Sequence, residues 1–296
     1  MTIKTVIKTT RPAFLVLSPV CVFLGLSTSL ASGAQVNYFI FFLILIGAIS
    51  AHISVNTLNE YYDFKSGLDL KTEKTAFSGG SGALPDNPEM ALTVLTTGLI
   101  FLLLTITIGI YFIIEDGIHI LSMGIVGILL IVTYTQWLNR FPFLCLVAPG
   151  LGFGVLMVVG THMILTGEQS RLPWLISLVP FFLINNLLLL NQYPDMKADS
   201  YVGRKTFPIA FGLHKSNFIY ALFVLTTYSL LLIIIAMEYV PGISIIALTP
   251  VLFSIYAFFG AHKYASKIGD FPQYLGANVA ASIFTPSLLA LSIIYG

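Results

Sequence analysis

Apolar stretches long enough to cross a lipid bilayer recur nine times along this chain, and that recurrence restricts its fold more than any other feature. About 20 residues of helix cross a hydrocarbon core of about 30 Å. The runs fall at about 12–33, 37–62, 89–114, 117–137, 142–166, 173–195, 214–237, 242–264 and 275–295. Only 9% of the residues are charged and 57% are hydrophobic, whereas a soluble domain carries about 25% charge. The expectation is an all-α integral membrane protein, one polytopic domain over 1–296 with nine transmembrane helices. The first run is as long as the rest and no small-residue cleavage site precedes a polar mature domain, so it reads as a retained span.

Positive charge predicts the orientation, because cytoplasmic loops carry the excess of Lys and Arg. With the N-terminus inside, the inner side receives Lys4, Lys8, Arg11, Lys65, Lys71, Lys74, Arg140, Lys197, Arg204, Lys205, Lys215, Lys263 and Lys267, and the outer side only Arg171. Nine spans then put the C-terminus outside. A cell-membrane protein with its chemistry on the cytoplasmic side is expected. Two inner loops, 63–88 and 196–213, exceed the others and are expected to be functional. The net charge of +1, without a basic patch interleaved with aromatics, gives no case for nucleic acid. Cys21 and Cys145 lack metal-ligand spacing and read as small buried hydrophobes.

The second run ends in His52, Asn56, Asn59 and Asp63, within the stretch NEYYDFKSGLD that reaches Asp69. Steps of four, three and four put these four residues on one helical face. At 1.5 Å per residue the stripe extends about 16 Å from Asp63 toward the bilayer centre, a depth at which polar groups face a cavity or a partner. The sixth run ends in Asn191, Asp195 and Asp199, followed by GRKT at 203–206. Asn and Asp again stand four apart, so the two motifs echo each other as NxxxD at inner helix ends.

Carboxylates and amide oxygens at this density suit a hard cation such as Mg²⁺, which binds through a few carboxylates together with phosphate oxygens. A diphosphate clamped by two Mg²⁺ fits. Lys71, Lys74, Arg204 and Lys205 are placed to take up remaining phosphate charge, and Arg11 either joins them or anchors the first helix. The alternative, simple pairing of these acids with neighbouring Lys and Arg, accounts poorly for two matched motifs. Ser78 to Gly82 lacks the GK[ST] ending of a phosphate loop and reads as a flexible lid or turn.

His52 either lines a substrate pocket or makes an interhelical hydrogen bond, and Asn56 shares its face. Asn185 and Asn186, at similar depth on the sixth run, have the same two readings. Tyr134, at the inner end of the fourth run, either reaches the pocket or belongs to the interfacial aromatic belt. His119, His162, His214 and His262 fall near helix ends and read as interfacial or structural.

The paired motifs, with the opening RPAFLVLSPVCVFLG, resemble the UbiA superfamily of intramembrane aromatic prenyltransferases over nearly the full length, and are most similar to its MenA-type branch, which prenylates 1,4-dihydroxy-2-naphthoate. The resemblance implies nine helices, an inner-face active site, and two Mg²⁺ held on an isoprenyl diphosphate by Asn59, Asp63, Asp69, Asn191, Asp195 and Asp199, with Asp63, Asp195 and Asp199 as catalytic acids. It implies an allylic carbocation attacked by an aromatic acceptor, in a pocket to which His52, Asn56, Tyr134 and Asn185 contribute. Two positions depart from the branch: Glu60 stands where Asp is usual, and Phe153, in APGLGFG, stands where a Glu tends to occur. A terpene cyclase of the same superfamily and a secondary transporter are the competing readings; transporters break helices at the midplane, whereas these acids sit at inner helix ends beside basic loops.

Overall fold

The computed structural model describes residues 2–296, and among the described residues there are helices and turns but no strand. Among the described residues nine apolar helices overlap the predicted runs: α1 (Pro12–Ala31), α2 (Tyr38–Lys65), α3 (Pro88–Glu115), α4 (Ile118–Thr133), α5 (Pro142–Thr166), α6 (Arg171–Tyr201), α7 (Phe207–Ala236), α8 (Gly242–Asp270) and α9 (Pro272–Tyr295). Eight are long and apolar enough to cross a membrane, and α4 is the shorter one. A short helix, Thr2–Thr9, precedes them.

Two boundaries differ from the sequence expectation in a way that matters. Helix α2 continues to Lys65 and α6 to Tyr201, so Asp63 and Asp199 are helical rather than loop residues, and Asp195 lies within its helix rather than at its last position. Hydropathy falls off before the helix does, because the last turns line a polar cavity. At its other end α2 starts where Asn37 caps it, its Oδ1 accepting from the amides of Phe39 at 3.0 Å and Ile40 at 3.4 Å.

The helices are unequally enclosed. In α1 and α6, 61% of the most apolar window is buried, against 17% in α3, and α4 buries none of Leu121–Thr133. The packed centre therefore joins α1 and α6 to α5, α7 and α9, while α3 packs on α2, and α3 and α4 each turn one face to a cavity and another outward. Contact between α5 and α6 needs glycine: a Cβ on Gly150 would lie 2.3 Å from the Phe181 carbonyl oxygen, and one on Gly154 would lie 2.5 Å from the Phe181 nitrogen. Here α5 contains Pro149 and then widens into a π-turn over Leu151–Met157, the kind of irregularity that recurs at functional sites.

Candidate active site

A cavity of about 740 Å³ opens between α1–α6. Its body is apolar, walled by residues such as Ile128 on α4 and Phe153 and Leu156 on α5. Its mouth gathers the acids. Along α2, His52, Asn56, Asn59 and Asp63 all line it, as the 3.6-residue period requires. Across the mouth stand Asn191, Asp195 and Asp199 of α6, and Asp69 completes the set from the loop after α2.

Arg204 ties the two motifs together. One guanidinium nitrogen bonds the buried Asp63 carboxylate and another donates to Asp199 Oδ1 at 2.9 Å. Burial works against the Arg204 charge, but Asp63 and Asp199 outweigh it and raise its pKa above the ordinary arginine value. Asp63 Oδ2 also accepts from Asn59 Nδ2 at 3.0 Å, and Asn59 Oδ1 in turn accepts from Thr135 Oγ1 at 3.0 Å.

Glu60 turns away from the cavity. Its Oε1 accepts from Arg11 Nη2 at 2.7 Å and from the Ser81 amide at 2.8 Å, and its Oε2 from Ser81 Oγ at 2.6 Å. That pair holds Arg11 at the mouth, where it lines the cavity. Arg11 adopts φ 53°, a left-handed backbone that costs a non-glycine residue on the order of 1–3 kcal/mol and persists because Glu60 fixes the side chain. The glycine stretch forms a strap across the mouth. Ser78, Gly79 and Gly80 line the cavity, and the Gly79 amide donates to Asp195 Oδ2 at 3.1 Å. Gly80 has φ 71°, and a Cβ there would lie 2.9 Å from Asp69 Oδ1, so only glycine lets the strap lie this close to the acid.

Two carboxylate oxygens at the mouth, Asp69 Oδ2 and Asp195 Oδ1, are buried with no hydrogen-bond partner. A buried carboxylate normally loses its charge or finds a counter-ion. Burial, with added repulsion from Asp63 and Glu60 against attraction from Arg11 and Arg204, pushes the Asp69 carboxyl up to about 8. Among the described residues no three His, Cys, Asp or Glu side chains converge as a ready-made metal cluster. The donor set fits Mg²⁺ all the same, since that ion takes one or two carboxylates and completes its shell with water and phosphate oxygens.

Not every predicted residue comes to the mouth. Lys71, Lys74 and Lys205 are outside the cavity lining. Lys71 Nζ lies over the Tyr201 ring, Lys74 Nζ donates to the Gly82 carbonyl at 3.3 Å and pairs with Asp86, and Lys205 is exposed. Asn185 is fully buried, its Oδ1 accepting from the Gly150 amide at 2.6 Å beside the π-turn. Tyr134 lines the cavity. Asn139 and Thr135 join the site beyond the expected residues, and the Ser78–Gly80 part of the expected lid or turn lines it. Nothing in their local spacing marks them, apart from the glycine run that makes the strap possible.

A sequence model of the UbiA prenyltransferase family matches residues 17–274. The chain belongs to that family. A 1,4-dihydroxy-2-naphthoate octaprenyltransferase of Bacillus subtilis (strain 168) is 30% identical over 216 residues, 70% of this chain and 65% of the relative. UbiA prenyltransferase domain-containing protein 1 of Dictyostelium discoideum is 27% identical over 238 residues, 73% of this chain and 66% of that one. The chain thus spans just under two thirds of the length of these two curated relatives. The solved structure of a UbiA homolog from Archaeoglobus fulgidus bound to GPP and Mg²⁺ superposes with a TM-score of 0.68 at 16% identity, covering 99% of this chain and 100% of that one. The helical fold of this UbiA-family chain is therefore the fold of that homolog.

Proposed function

We propose that the protein is a Mg²⁺-dependent prenyltransferase that moves an isoprenyl group from its diphosphate to an aromatic acceptor. The observation that carries this reading is the pair of unpartnered carboxylate oxygens, Asp69 Oδ2 and Asp195 Oδ1, at the mouth of a cavity whose body is apolar. Family membership supports the reaction class. The bound molecules of the A. fulgidus homolog support a prenyl diphosphate and Mg²⁺ as ligands. The name of the B. subtilis relative supports 1,4-dihydroxy-2-naphthoate, or a related quinone precursor, as acceptor.

Asn59, Asp63, Asp69, Asn191, Asp195 and Asp199 would hold the cations, two by this reading, with the diphosphate between them. Bound Mg²⁺ supplies Lewis-acid stabilisation of charge on the leaving diphosphate. Arg204 and Arg11 keep two guanidinium groups at the mouth, where they bind the phosphate oxygens as the C–O bond breaks and its electron pair leaves with the diphosphate. The acceptor ring carbon then attacks the allylic cation and the ring loses its proton. Side chains such as Phe153, Ile128 and Leu156 keep water from that cation. By the same reading all nine helices lie in the cell membrane, with the N-terminus and the acidic mouth on the cytoplasmic side and the C-terminus outside, as the lopsided Lys and Arg distribution supports.

The test is direct. Purified protein given an isoprenyl diphosphate, 1,4-dihydroxy-2-naphthoate and Mg²⁺ is expected to form prenylated naphthoate, and EDTA to stop it. Release of diphosphate with a cyclised hydrocarbon and no acceptor product would replace the transferase reading with a cyclase; no turnover with any aromatic acceptor would reject it.

A further inference from the structure

Two histidines are buried between helices here, and counting their hydrogens separates them. His162 Nδ1 lies 3.0 Å from Thr28 Oγ1, but the single Thr28 proton already goes to the Gly25 carbonyl at 2.7 Å. His162 must therefore donate through Nδ1, and Ser170 Oγ meets its Nε2 at 3.3 Å. Both nitrogens are spent on the scaffold.

His52 is arranged the other way. Its Nδ1 lies 2.9 Å from Ser18 Oγ. On α1, Ser27, Thr28 and Ser29 each turn their hydroxyl back to a carbonyl of their own helix, yet Ser18, fully buried, has no hydrogen-bond partner other than His52 among the described residues. The Ser18 proton has one place to go, His52 Nδ1. A neutral imidazole that accepts at one nitrogen carries its hydrogen on the other, so His52 is held as the Nε2–H tautomer. No described side chain accepts that hydrogen, and His52 lines the cavity.

We infer that His52 Nε2–H is a preset hydrogen-bond donor for an oxygen of the aromatic acceptor, oriented by Ser18 and by the edge-to-face contact with Phe153. The ring centroids of His52 and Phe153 are 4.6 Å apart at 72°, so the imidazole is braced from two sides. The inference rests on the proposed transferase reading. Distance decides which part of the substrates meets this donor: eleven residues of helix put His52 about 16 Å along the α2 axis from Asp63. That leaves room for a diphosphate at the acids and an aromatic ring beyond it on the His52 side. An isoprenoid tail has no acceptor atom for an N–H. The ligand class is thus a ring bearing a hydroxyl, carbonyl or carboxylate oxygen. Ser18 and His52 are positioning residues for that ring.

The experiment measures KM for 1,4-dihydroxy-2-naphthoate and for the isoprenyl diphosphate separately. His52→Phe keeps an aromatic against Phe153 but removes the donor, and is expected to raise the acceptor KM about tenfold, as losing a buried hydrogen bond does. The isoprenyl diphosphate KM should stay within about twofold. His52→Gln, whose amide nitrogen matches the Nε2 position, should bring the acceptor KM back to within about threefold of wild type. Ser18→Ala, which frees the tautomer, should raise it about threefold, and carries the test alone if His52→Phe does not fold. An acceptor KM unchanged in His52→Phe and Ser18→Ala, or both KM values rising together, overturns the inference while leaving the transferase reading intact. A wild-type protein that prenylates no aromatic overturns that reading and the inference with it.

Discussion

On α2, Asp63 is fully engaged: Asn59 donates to one oxygen at 3.0 Å and Arg204 to the other. On α6, Asp195 takes the Gly79 amide at 3.1 Å on Oδ2 and keeps Oδ1 buried without a partner. The same NxxxD spacing therefore leaves its two acids with different partners before any cation binds. The α2 acid is compensated by a guanidinium and joins the two halves of the mouth through Arg204, which also holds Asp199. The α6 acid, with Asp69, is left with oxygen to spare for a cation. Matching positions in a repeated motif share a helical register but differ in what compensates their charge while the site is metal-free.

Substitution should separate the two. Asp195→Ala is expected to lower prenyl transfer by about 10³-fold while leaving thermal stability unchanged or slightly higher, since it removes an unpaired buried oxygen. Asp63→Ala should lower transfer as severely and also lower Tm, because it strips Arg204 of one of its two carboxylates. Thermal melts of both variants beside their turnover decide this, and equal melting behaviour would erase the distinction between the two acids.

A smaller effect concerns Asp69. With its carboxyl raised to about 8, the metal-free protein holds that proton at neutral pH, and a cation must displace it. The Mg²⁺ affinity is accordingly expected to rise about tenfold from pH 6.5 to 7.5 and to level off above pH 8. Asp69→Asn should flatten that slope. Calorimetric titrations in two buffers of different ionisation enthalpy would read the released proton, and a pH-independent affinity in the wild type would place the ion away from Asp69.

The polar stripe His52, Asn56, Asn59, Asp63 was legible in the sequence because helical periodicity is a local property, and the structure puts all four on the cavity. The same holds for the apolar runs, whose positions reappear as helices although several ends shift, with α4 shorter and α6 longer than its run. What the sequence left hidden depends on which distant segments meet. Arg204 contacts Asp63 across 141 positions, and Arg11 contacts Glu60 across 49. Glu60 stood out in the sequence only as a Glu where Asp is usual, and both its oxygens serve Arg11 and Ser81. Lys71, Lys74 and Lys205 are cations in the right loops, but a loop charge carries no direction, and theirs lead away from the mouth. The strap was visible as a glycine run, whereas its approach to Asp195 required φ values of 81° at Gly79 and 71° at Gly80.

Binding of a non-reactive isoprenyl diphosphate analogue, titrated by calorimetry with and without Mg²⁺ into the wild type and Asp195→Ala, tests most directly whether the spare oxygens hold a cation on the diphosphate. The account predicts that the wild type binds the analogue only when Mg²⁺ is present and that Asp195→Ala weakens that binding by about 100-fold. Equal affinity with and without Mg²⁺, or an Asp195→Ala protein that binds as the wild type does, would contradict it.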